Sequence, residues 1–423
     1  MIIFKNSLDF AKELDKKDEL VSYKNKFHIP KDAQGNELIY FCGNSLGLQP
    51  KTTATYILQE LEDWAKLGVE GHFKAKNPWL NYHEYLTKQM AKVVGAKPIE
   101  VIVMNTLTAN LHFMMASFYQ PSAKRYKILI ESDAFPSDKY AVESQLRHHG
   151  FDDQEGLLRW KPRKNEELLR YEDLETILEA HGNEIALIMI GAVNYYTGQY
   201  FDLKKITELG HKHGCMVGFD CAHGAGNVTL NLHDSGADFA VWCTYKYLNS
   251  GPGSLAGCFI HERHAFSKDL NRFTGWWSHN KQTRFNMRKA FDVLPGAEGW
   301  QLSNPPILSM AAIKASLDIF DEVGMSKLTD KSKKLTNYLE FLLHELKDKR
   351  IKIITPSNTK ERGCQLSIQI KSADKTLYEK LTKAGIITDW REPVVIRCAP
   401  VPLYNSFEDV YYIVKKLKDI LND

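Results

Sequence analysis

The amino-acid sequence predicts an α/β protein whose larger part is a mostly parallel sheet covered by helices, followed by a smaller α+β domain. Short, nearly continuous apolar runs alternate with helical patterns between residues 101 and 260, which is typical of parallel strands buried on both faces. The segment Asn304-Pro305-Pro306 ends this alternation. The chain has 423 residues, more than one ordinary core accommodates, so two domains are expected.

Helices and one short strand are predicted before the sheet begins. Residues 7–26 are highly charged with scattered apolar positions and predict a helical N-terminal segment. Residues 39–41 predict a short strand. Apolar residues at helical spacing predict a helix over residues 52–67, and Gly68 follows as a stop signal.

Six apolar runs predict the strands of the sheet, at residues 101–104, 127–130, 186–190, 216–219, 239–242 and 256–260. In such sheets ligands bind beyond the carboxyl ends of the strands. The C-terminal part predicts helices at 307–323, 325–348 and 407–421 and strands at 351–354 and 366–370. We therefore predict an N-terminal segment (1–40) that packs with the small domain, a large domain (41–306) and a small α+β domain (307–423).

Composition and charge limit the possible functions. Apolar residues make up 43% of the chain and charged residues 25%, which are globular values. A net charge of +3 without a long Lys/Arg block argues against a nucleic-acid partner. Seven cysteines without a C-x-x-C pair predict free thiols and no metal site. The longest apolar stretch is too short for a bilayer and no signal peptide is evident, so we expect a cytoplasmic protein without a membrane partner.

Two charged residues follow neighbouring predicted strands. Asp220 ends the run at 216–219, and Lys246 lies just after the run at 239–242. A pyridoxal-phosphate enzyme needs a lysine that holds the cofactor as a Schiff base and a carboxylate that pairs with the pyridinium nitrogen. Each residue alone is more often a solvated turn lysine or a helix cap. The aromatic neighbours of Lys246 and the segment Gly251-Pro252-Gly253 favour the cofactor site, and the ordinary structural roles stay open.

Three further segments follow strands and offer groups for such a site. Thr108 opens a helix, where free backbone N–H groups attract a phosphate, although ordinary capping explains it as well. Phe135 could stack on a planar cofactor, and a proline turn with an aspartate cap is the alternative. Tyr195 and Tyr196 line either the site or a glycine turn.

Two residues elsewhere are candidates for substrate contacts. Arg397 ends an apolar strand of the second domain, where a guanidinium can bind a carboxylate through two hydrogen bonds. An exposed arginine at a sheet edge is the alternative. His72 is either a polar contact of the site or a loop histidine without a function.

Taken in order, these segments resemble kynureninases over nearly the whole chain. The order and spacing of the motifs carry the resemblance, and Tyr245-Lys246 and Asn304-Pro305-Pro306 are the most telling. The motifs are GNSLGLQP (residues 43–50), FPSD (135–138), YYTGQ (195–199), VGFD (217–220) with His223, YKYLN (245–249), GW (275–276), TRF (283–285), SNPPI (303–307) and VPLYNS (401–406).

The resemblance implies a fold-type-I pyridoxal-phosphate enzyme with a seven-stranded sheet, working as a homodimer with its site at the subunit interface. The implied reaction is hydrolysis of L-kynurenine, or its 3-hydroxy form, to an anthranilate and L-alanine, in tryptophan catabolism or NAD biosynthesis. An aminotransferase of class V or a cysteine desulfurase is the alternative within the same fold. A non-catalytic binding protein on this fold should lack Lys246 or Asp220, and both are present.

The resemblance also implies roles for particular residues. Lys246 and Tyr245 would be catalytic, Tyr245 as a proton donor in a late step. The residues implied to bind the cofactor are Leu107, Thr108, Phe135, Pro136, Ser137, Asp138, Asp220, His223, Tyr245, Lys246, Trp276 and Asn304. Those implied to bind the substrate are Ser45, His72, Ser303, Asn304 and Arg397. One departure is Gly191, where the family can have serine.

Overall fold

The computed structural model describes residues 2–267, 269–287 and 290–422, so residues 1, 268, 288, 289 and 423 of the predicted domains lie outside the described residues. Its strands are β1 (Ile39–Tyr40), β2 (Val101–Met104), β3 (Lys127–Glu131), β4 (Leu157–Trp160), β5 (Ile185–Gly191), β6 (Met216–Asp220), β7 (Phe239–Cys243), β8 (Ala256–Ile260), β9 (Ile351–Ile353), β10 (Leu366–Ile370), β11 (Ile386–Ile387), β12 (Asp389–Arg391) and β13 (Val395–Cys398).

Helices cover and connect these strands. The α-helices are α1 (Leu8–Lys16), α2 (Thr53–Leu67), α3 (Gly71–Lys74), α4 (Glu84–Val94), α5 (Leu107–Phe118), α6 (Pro136–His148), α7 (Asp153–Gly156), α8 (Tyr171–His181), α9 (Leu203–Lys212), α10 (Leu232–Ser235), α11 (Ile307–Val323), α12 (Met325–Glu345), α13 (Lys375–Lys383) and α14 (Phe407–Asn422).

Strands β2 to β8 form one sheet in the order β2-β8-β7-β6-β5-β3-β4. The pairs from β7 to β4 are parallel, whereas β8 is antiparallel to both β7 and β2. Alternate side chains of β5 enter separate cores: Ile188 and Ile190 lie in one, Leu187 and Met189 in the other. Both faces are therefore covered. The predicted α/β fold with a mostly parallel seven-stranded sheet is confirmed.

A second, antiparallel sheet has the order β12-β13-β10-β9 and lies in the C-terminal part. Strand β1 pairs with β11, and the Asp15 carboxylate of α1 accepts the backbone N–H groups of Phe407 and Glu408 at the start of α14, at 2.7 and 2.9 Å. The N-terminal residues are thus tied to the C-terminal part by backbone pairing and by a helix cap. The division of the chain into three domains stays a prediction.

Candidate active site

Lys246 and Asp220 lie at the carboxyl edge of the main sheet. Asp220 is the last residue of β6, which pairs in parallel with β7. Lys246 follows the end of β7 by three residues. Both line one cavity, together with Leu107, Thr108, Glu131, Phe135, Ser137, Asp138, Gly191, Val193, Tyr195, Ala222, His223 and Tyr245. Parallel strands bring their carboxyl ends to the same edge, which explains why residues distant in sequence meet there.

One side of the cavity offers an aromatic ring and hydroxyl groups. The Lys246 Nζ lies 5.7 Å from the centre of the Phe135 ring. The hydroxyls of Thr108 and Ser137 lie 2.9 Å apart, each in the first turn of its helix, α5 and α6. Backbone N–H groups without helical partners also point out of these first turns. This side therefore suits an anionic group beside a flat ring.

The cavity is also rich in carboxyl groups. Asp220, Asp138 and Glu131 are all buried. Burial raises the pKa of Asp220, against the pull of the Lys246 charge. Burial and the neighbouring Asp220 charge raise the pKa of Asp138, and burial raises that of Glu131 to about 8. Burial thus disfavours the charged forms of these three groups, and a cationic ligand beside them would favour ionisation.

The turn that carries Lys246 is held from the side by the segment at residues 43–50. The backbone N–H of Gly47 donates to the carbonyl of Tyr245 at 2.8 Å. A Cβ atom on Gly47 would lie 2.2 Å from the carbonyl oxygen of Lys246, so only glycine permits this approach. Burial raises the pKa of the Tyr245 phenol, and the neighbouring Cys243 thiol raises it further. The phenol therefore stays protonated at neutral pH.

Arg397 lies in β13, behind the Tyr195 side chain. Its guanidinium is 1% exposed and donates to the Tyr195 carbonyl at 2.7 Å and to the Asp389 carboxylate. The Tyr195 ring in turn packs edge-on against Phe135, with 5.3 Å between ring centres. Arg397 therefore adjoins the cavity through Tyr195, and it is a buried residue rather than an exposed arginine at a sheet edge.

The other predicted site residues lie outside the cavity of the single chain. Pro136 is the first residue of α6 and sets the start of that helix. His72 is half-buried and packs edge-on against Trp79 at 5.6 Å. Trp276 is 47% exposed, and Ser45, Ser303 and Asn304 are exposed as well.

The chain is similar in sequence to proteins of known family. The chain is 58% identical over 98% of its length to the kynureninase of Myxococcus xanthus, and covers 98% of that protein. It is 54% identical to the kynureninase of Flavobacterium psychrophilum, with 99% of both chains covered. Against the kynureninase of Nematostella vectensis it is 47% identical, with 97% of this chain and 93% of that one covered. Residues 328–417 match the family model of the kynureninase C-terminal domain.

The chain belongs to the kynureninase family. The family prediction from the sequence motifs is thereby confirmed. The fold is shared with more distant proteins, such as a cysteine desulfurase from Thermococcus onnurineus solved in its apo form. That structure superposes with a TM-score of 0.75 at 17% identity, over 93% of this chain and 98% of that one. The cystine lyase C-DES, solved as a mutant with glycine linked to its PLP cofactor, superposes with a TM-score of 0.77 at 16% identity, over 90% of this chain and 96% of that one.

The cavity of this kynureninase-family chain fits pyridoxal phosphate. Among the residues that the structure describes, the buried His223 Nδ1 and Asp138 Oδ1 have no hydrogen-bond partner. Burial also lowers the pKa of His223 well below its usual range, which leaves a neutral ring with a donor and an acceptor. Unpaired buried polar atoms are costly, so they indicate that a polar ligand completes the site.

Three lining residues were not identified as site residues from the sequence: Glu131, Val193 and Ala222. Glu131 follows an apolar strand at the carboxyl edge, the same signal that identified Asp220. Its carboxylate accepts the N–H of Gly191 at 3.1 and 3.2 Å. A Cβ atom on Gly191 would lie 2.8 Å from Glu131 Oε1, so a serine at this position would require Glu131 to move.

Proposed function

We propose that this protein catalyses the hydrolysis of L-kynurenine or 3-hydroxy-L-kynurenine at the bond between the β- and γ-carbons, giving anthranilate or 3-hydroxyanthranilate and L-alanine. The single observation that carries the proposal is that Lys246 and Asp220 line one cavity in a chain of the kynureninase family. Pyridoxal 5'-phosphate is the cofactor of this reaction. Bound here, it supplies an electron sink for the carbon atoms next to the substrate amine.

The residues of the chain then have distinct tasks. Lys246 would hold the cofactor, and its Nζ, when free, would accept the α-proton of the substrate. Asp220 would pair with the pyridine nitrogen and favour its protonated form, and Phe135 would stack on the ring. The Tyr245 phenol, kept protonated by burial, donates a proton to the β-carbon that becomes the methyl group of alanine. Water supplies the oxygen of the new carboxylate.

Binding of the phosphate and of the substrate involves further side chains. The proposed phosphate residues are Leu107, Thr108, Ser137, Tyr245, Trp276 and Asn304, while Asp138 and His223 flank the ring and Pro136 shapes the turn before them. Arg397 binds the α-carboxylate of the substrate, because a buried guanidinium offers parallel donors to it. The proposed aryl-side contacts are Ser45, His72, Ser303 and Asn304.

The proposal includes a homodimer in which one chain completes the cavity of the other. Trp276, Phe285 and Met287 are exposed apolar side chains, Met287 at 80%. Such a concentration on one segment favours an interface. We expect Lys246→Ala and Asn304→Ala proteins, each inactive alone, to regain part of the activity when their subunits are exchanged. No recovery in a mixture shown to contain heterodimers contradicts the shared site.

The setting of the reaction is also part of the proposal. All seven cysteines are buried and unpaired, which suits a reducing compartment such as the cytoplasm. No helix in the described part of the chain is both long and apolar enough to cross a membrane. Tryptophan catabolism and NAD biosynthesis are the pathways proposed to use the product.

The deciding experiment measures initial rates with both kynurenine substrates and with L-cysteine. We expect release of an anthranilate and no release of sulfide, because the burial of all seven thiols leaves no exposed nucleophile for desulfuration. Sulfide release without anthranilate overturns the proposed function in favour of a desulfurase. Conversion of the cofactor to its amine form by an amino acid alone, without anthranilate, favours an aminotransferase.

Substrate preference follows from the polar residues proposed beside the aryl ring. A ring hydroxyl needs a hydrogen-bond partner, so His72 and Asn304 favour the 3-hydroxy substrate. Changing both to apolar residues should shift the ratio of kcat/KM about tenfold towards kynurenine, the loss of one hydrogen bond. An unchanged ratio contradicts this assignment.

A further inference from the structure

Arg397 belongs to a cluster of three charged side chains at the border of the cavity. Asp389 lies directly opposite Arg397 across the antiparallel pair of β12 and β13, so both side chains project from the same face. Arg391 is two residues after Asp389 in the same strand and shares that face. One carboxylate oxygen, Asp389 Oδ2, accepts from Arg397 and from Arg391, the latter at 3.1 Å.

Both guanidinium groups are oriented towards the cavity. Each lies 5.9 Å from the centre of the Tyr195 ring, which lines the cavity. The charges of Arg397 and Arg391 also act, after burial, to lower the pKa of the cavity residue His223. The Nε atoms of both arginines are buried and, within the described residues, have no hydrogen-bond partner. Donors for one more acceptor are therefore present.

The charges in this cluster match a single carboxylate. Two arginines and one aspartate carry a net charge of +1, which one bound carboxylate neutralises. Without a ligand, a buried arginine needs a counter-ion, because an unpaired buried charge is strongly destabilising. With a ligand, Asp389 and the incoming carboxylate would compete for the same guanidinium. Arg391, whose side chain is 36% exposed against 1% for Arg397, already donates to Asp389 and can hold it as the sole partner.

We propose that Asp389 is a positioning residue that occupies Arg397 in the ligand-free protein and transfers to Arg391 when the substrate carboxylate binds. This inference rests on the proposed function only in taking Arg397 as the carboxylate site. Asp389 then sets the affinity for the carboxylate of an amino-acid substrate, and Arg391 determines how readily Asp389 leaves. No bond is formed or broken in this exchange, and only hydrogen bonds change partners.

Substitutions of Asp389 and of Arg391 should change the affinity for L-alanine in opposite directions. Asp389→Asn keeps the shape but removes the competing charge, so the dissociation constant of the holoenzyme for L-alanine should fall about fivefold. Arg391→Gln leaves Asp389 on Arg397 in a neutral cluster, so the same constant should rise about tenfold. Ethylamine, which lacks the carboxylate, should bind equally to wild type and to both variants.

The experiment titrates the holoenzyme with L-alanine and with ethylamine, and then measures kcat and KM for kynurenine. KM should follow the L-alanine affinities, while kcat changes less. Asp348→Asn, which removes an Asp–Arg pair on the other side of the same sheet, serves as the matched control and should change neither probe. If Asp389→Asn does not fold, Arg391→Gln alone tests the inference: its dissociation constant should rise for L-alanine and stay unchanged for ethylamine.

Two results overturn the inference. One is a change of the same sign in Asp389→Asn and Arg391→Gln. The other is an equal change for L-alanine and ethylamine, which indicates general disturbance of the site. Failure of the proposed function can be told apart from failure of this inference. A wild-type protein that binds L-alanine but releases no anthranilate contradicts the proposed reaction, and its L-alanine affinities still test the role of Asp389.

Discussion

Buried carboxyl groups at the two ends of strands β6 and β7 have pKa values shifted in opposite directions. At the carboxyl end, Asp220 shares the cavity with Asp138 and Glu131, and the pKa values of all three are raised, chiefly by burial. At the amino end, Asp238 immediately precedes β7 and is equally buried, yet its pKa is lowered. Burial alone therefore does not decide the protonation state of an aspartate in this sheet.

The difference lies in the number of donors around each carboxylate. Burial raises the pKa of Asp238, but hydrogen bonds from His211 and His264 and the charge of Arg263 outweigh it. The N–H of Val217 donates to the same carboxylate at 2.7 Å. The amino end is thus a completed ion cluster that stabilises the fold. The carboxyl end has the single cation Lys246 beside three buried carboxyl groups and fewer donors around each of them, which suits a ligand with a cationic ring.

Removing the lysine of the carboxyl end should have the largest effect. Lys246→Ala deletes the amine proposed to hold the cofactor and to accept the α-proton, so turnover should fall below detection. The measurement is anthranilate release, with the visible absorbance of the bound cofactor as a second readout. Turnover near the wild-type rate contradicts the proposed role of Lys246. The control is Lys205→Ala, which removes a lysine from the surface helix α9.

Removing the carboxylate of Asp220 should lower the rate strongly without unfolding the protein. Asp220→Ala deletes the group proposed to keep the pyridine nitrogen protonated, so kcat should fall roughly 100-fold or more. The thermal midpoint should fall only slightly, through loss of the hydrogen bond that Asp220 accepts from the Ala222 N–H at 2.6 Å, because a carboxyl group with a raised pKa contributes no favourable charge to folding. An unchanged kcat shows that Asp220 does not pair with the cofactor.

Removing the Asp238 carboxylate at the amino end should lower the stability of the protein and leave its rate unchanged. Asp238→Asn removes the buried counter-ion of Arg263 and an acceptor shared by two histidines, so stability should fall by about 3 kcal/mol while kcat of the folded protein is retained. Urea unfolding measures the free energy of unfolding, and initial rates measure kcat. The control is Asp348→Asn, whose partly exposed pair with Arg350 should contribute less than about 1 kcal/mol.

The pH dependence of this cluster has a definite sign. Because the folded-state pKa of Asp238 is lowered, its stabilisation is present above its unfolded value of about 4 and is lost as pH falls further. The wild type should therefore lose stability on acidification more steeply than Asp238→Asn. Equal slopes mean that the cluster does not stabilise the charged carboxylate.

Strand patterns predicted the sheet and its carboxyl end, but not the contrast with the amino end. Near-continuous apolar runs identified β2, β3, β5, β6, β7 and β8, and the position of Asp220 and Lys246 after two of them placed both at one edge. The sequence did not indicate β4, because its alternating burial at the sheet edge leaves no continuous apolar run. It also did not indicate β12, a three-residue strand of half-buried side chains, although this strand carries Asp389.

The contacts between distant residues could not be predicted from the sequence. Asp238 precedes a strand just as an ordinary capping aspartate does, and its partners His211, Arg263 and His264 come from segments on either side of it. Only the fold brings them together. Likewise the raised pKa of Glu131 depends on its burial in the fold, which its position in the sequence alone does not show. Local sequence patterns predicted where the carboxyl edge of the sheet lies. The protonation states of the carboxyl groups there depend on packing between distant segments.

Glu131→Gln sharpens the comparison by testing a carboxyl group that has no salt bridge among the described residues. The pKa of Glu131 is raised from 4.5 to about 8, so the folded protein holds a proton there that the unfolded chain releases in this window. Stability therefore falls as pH rises between these values. Glutamine cannot ionise, so the variant should lose less stability, by about 1–3 kcal/mol at the upper end. Urea unfolding at both ends of the window measures this, with the exposed Glu179→Gln as control. Equal slopes for wild type and Glu131→Gln would mean that Glu131 is ionised in the folded protein, and that the carboxyl end resembles the amino end after all.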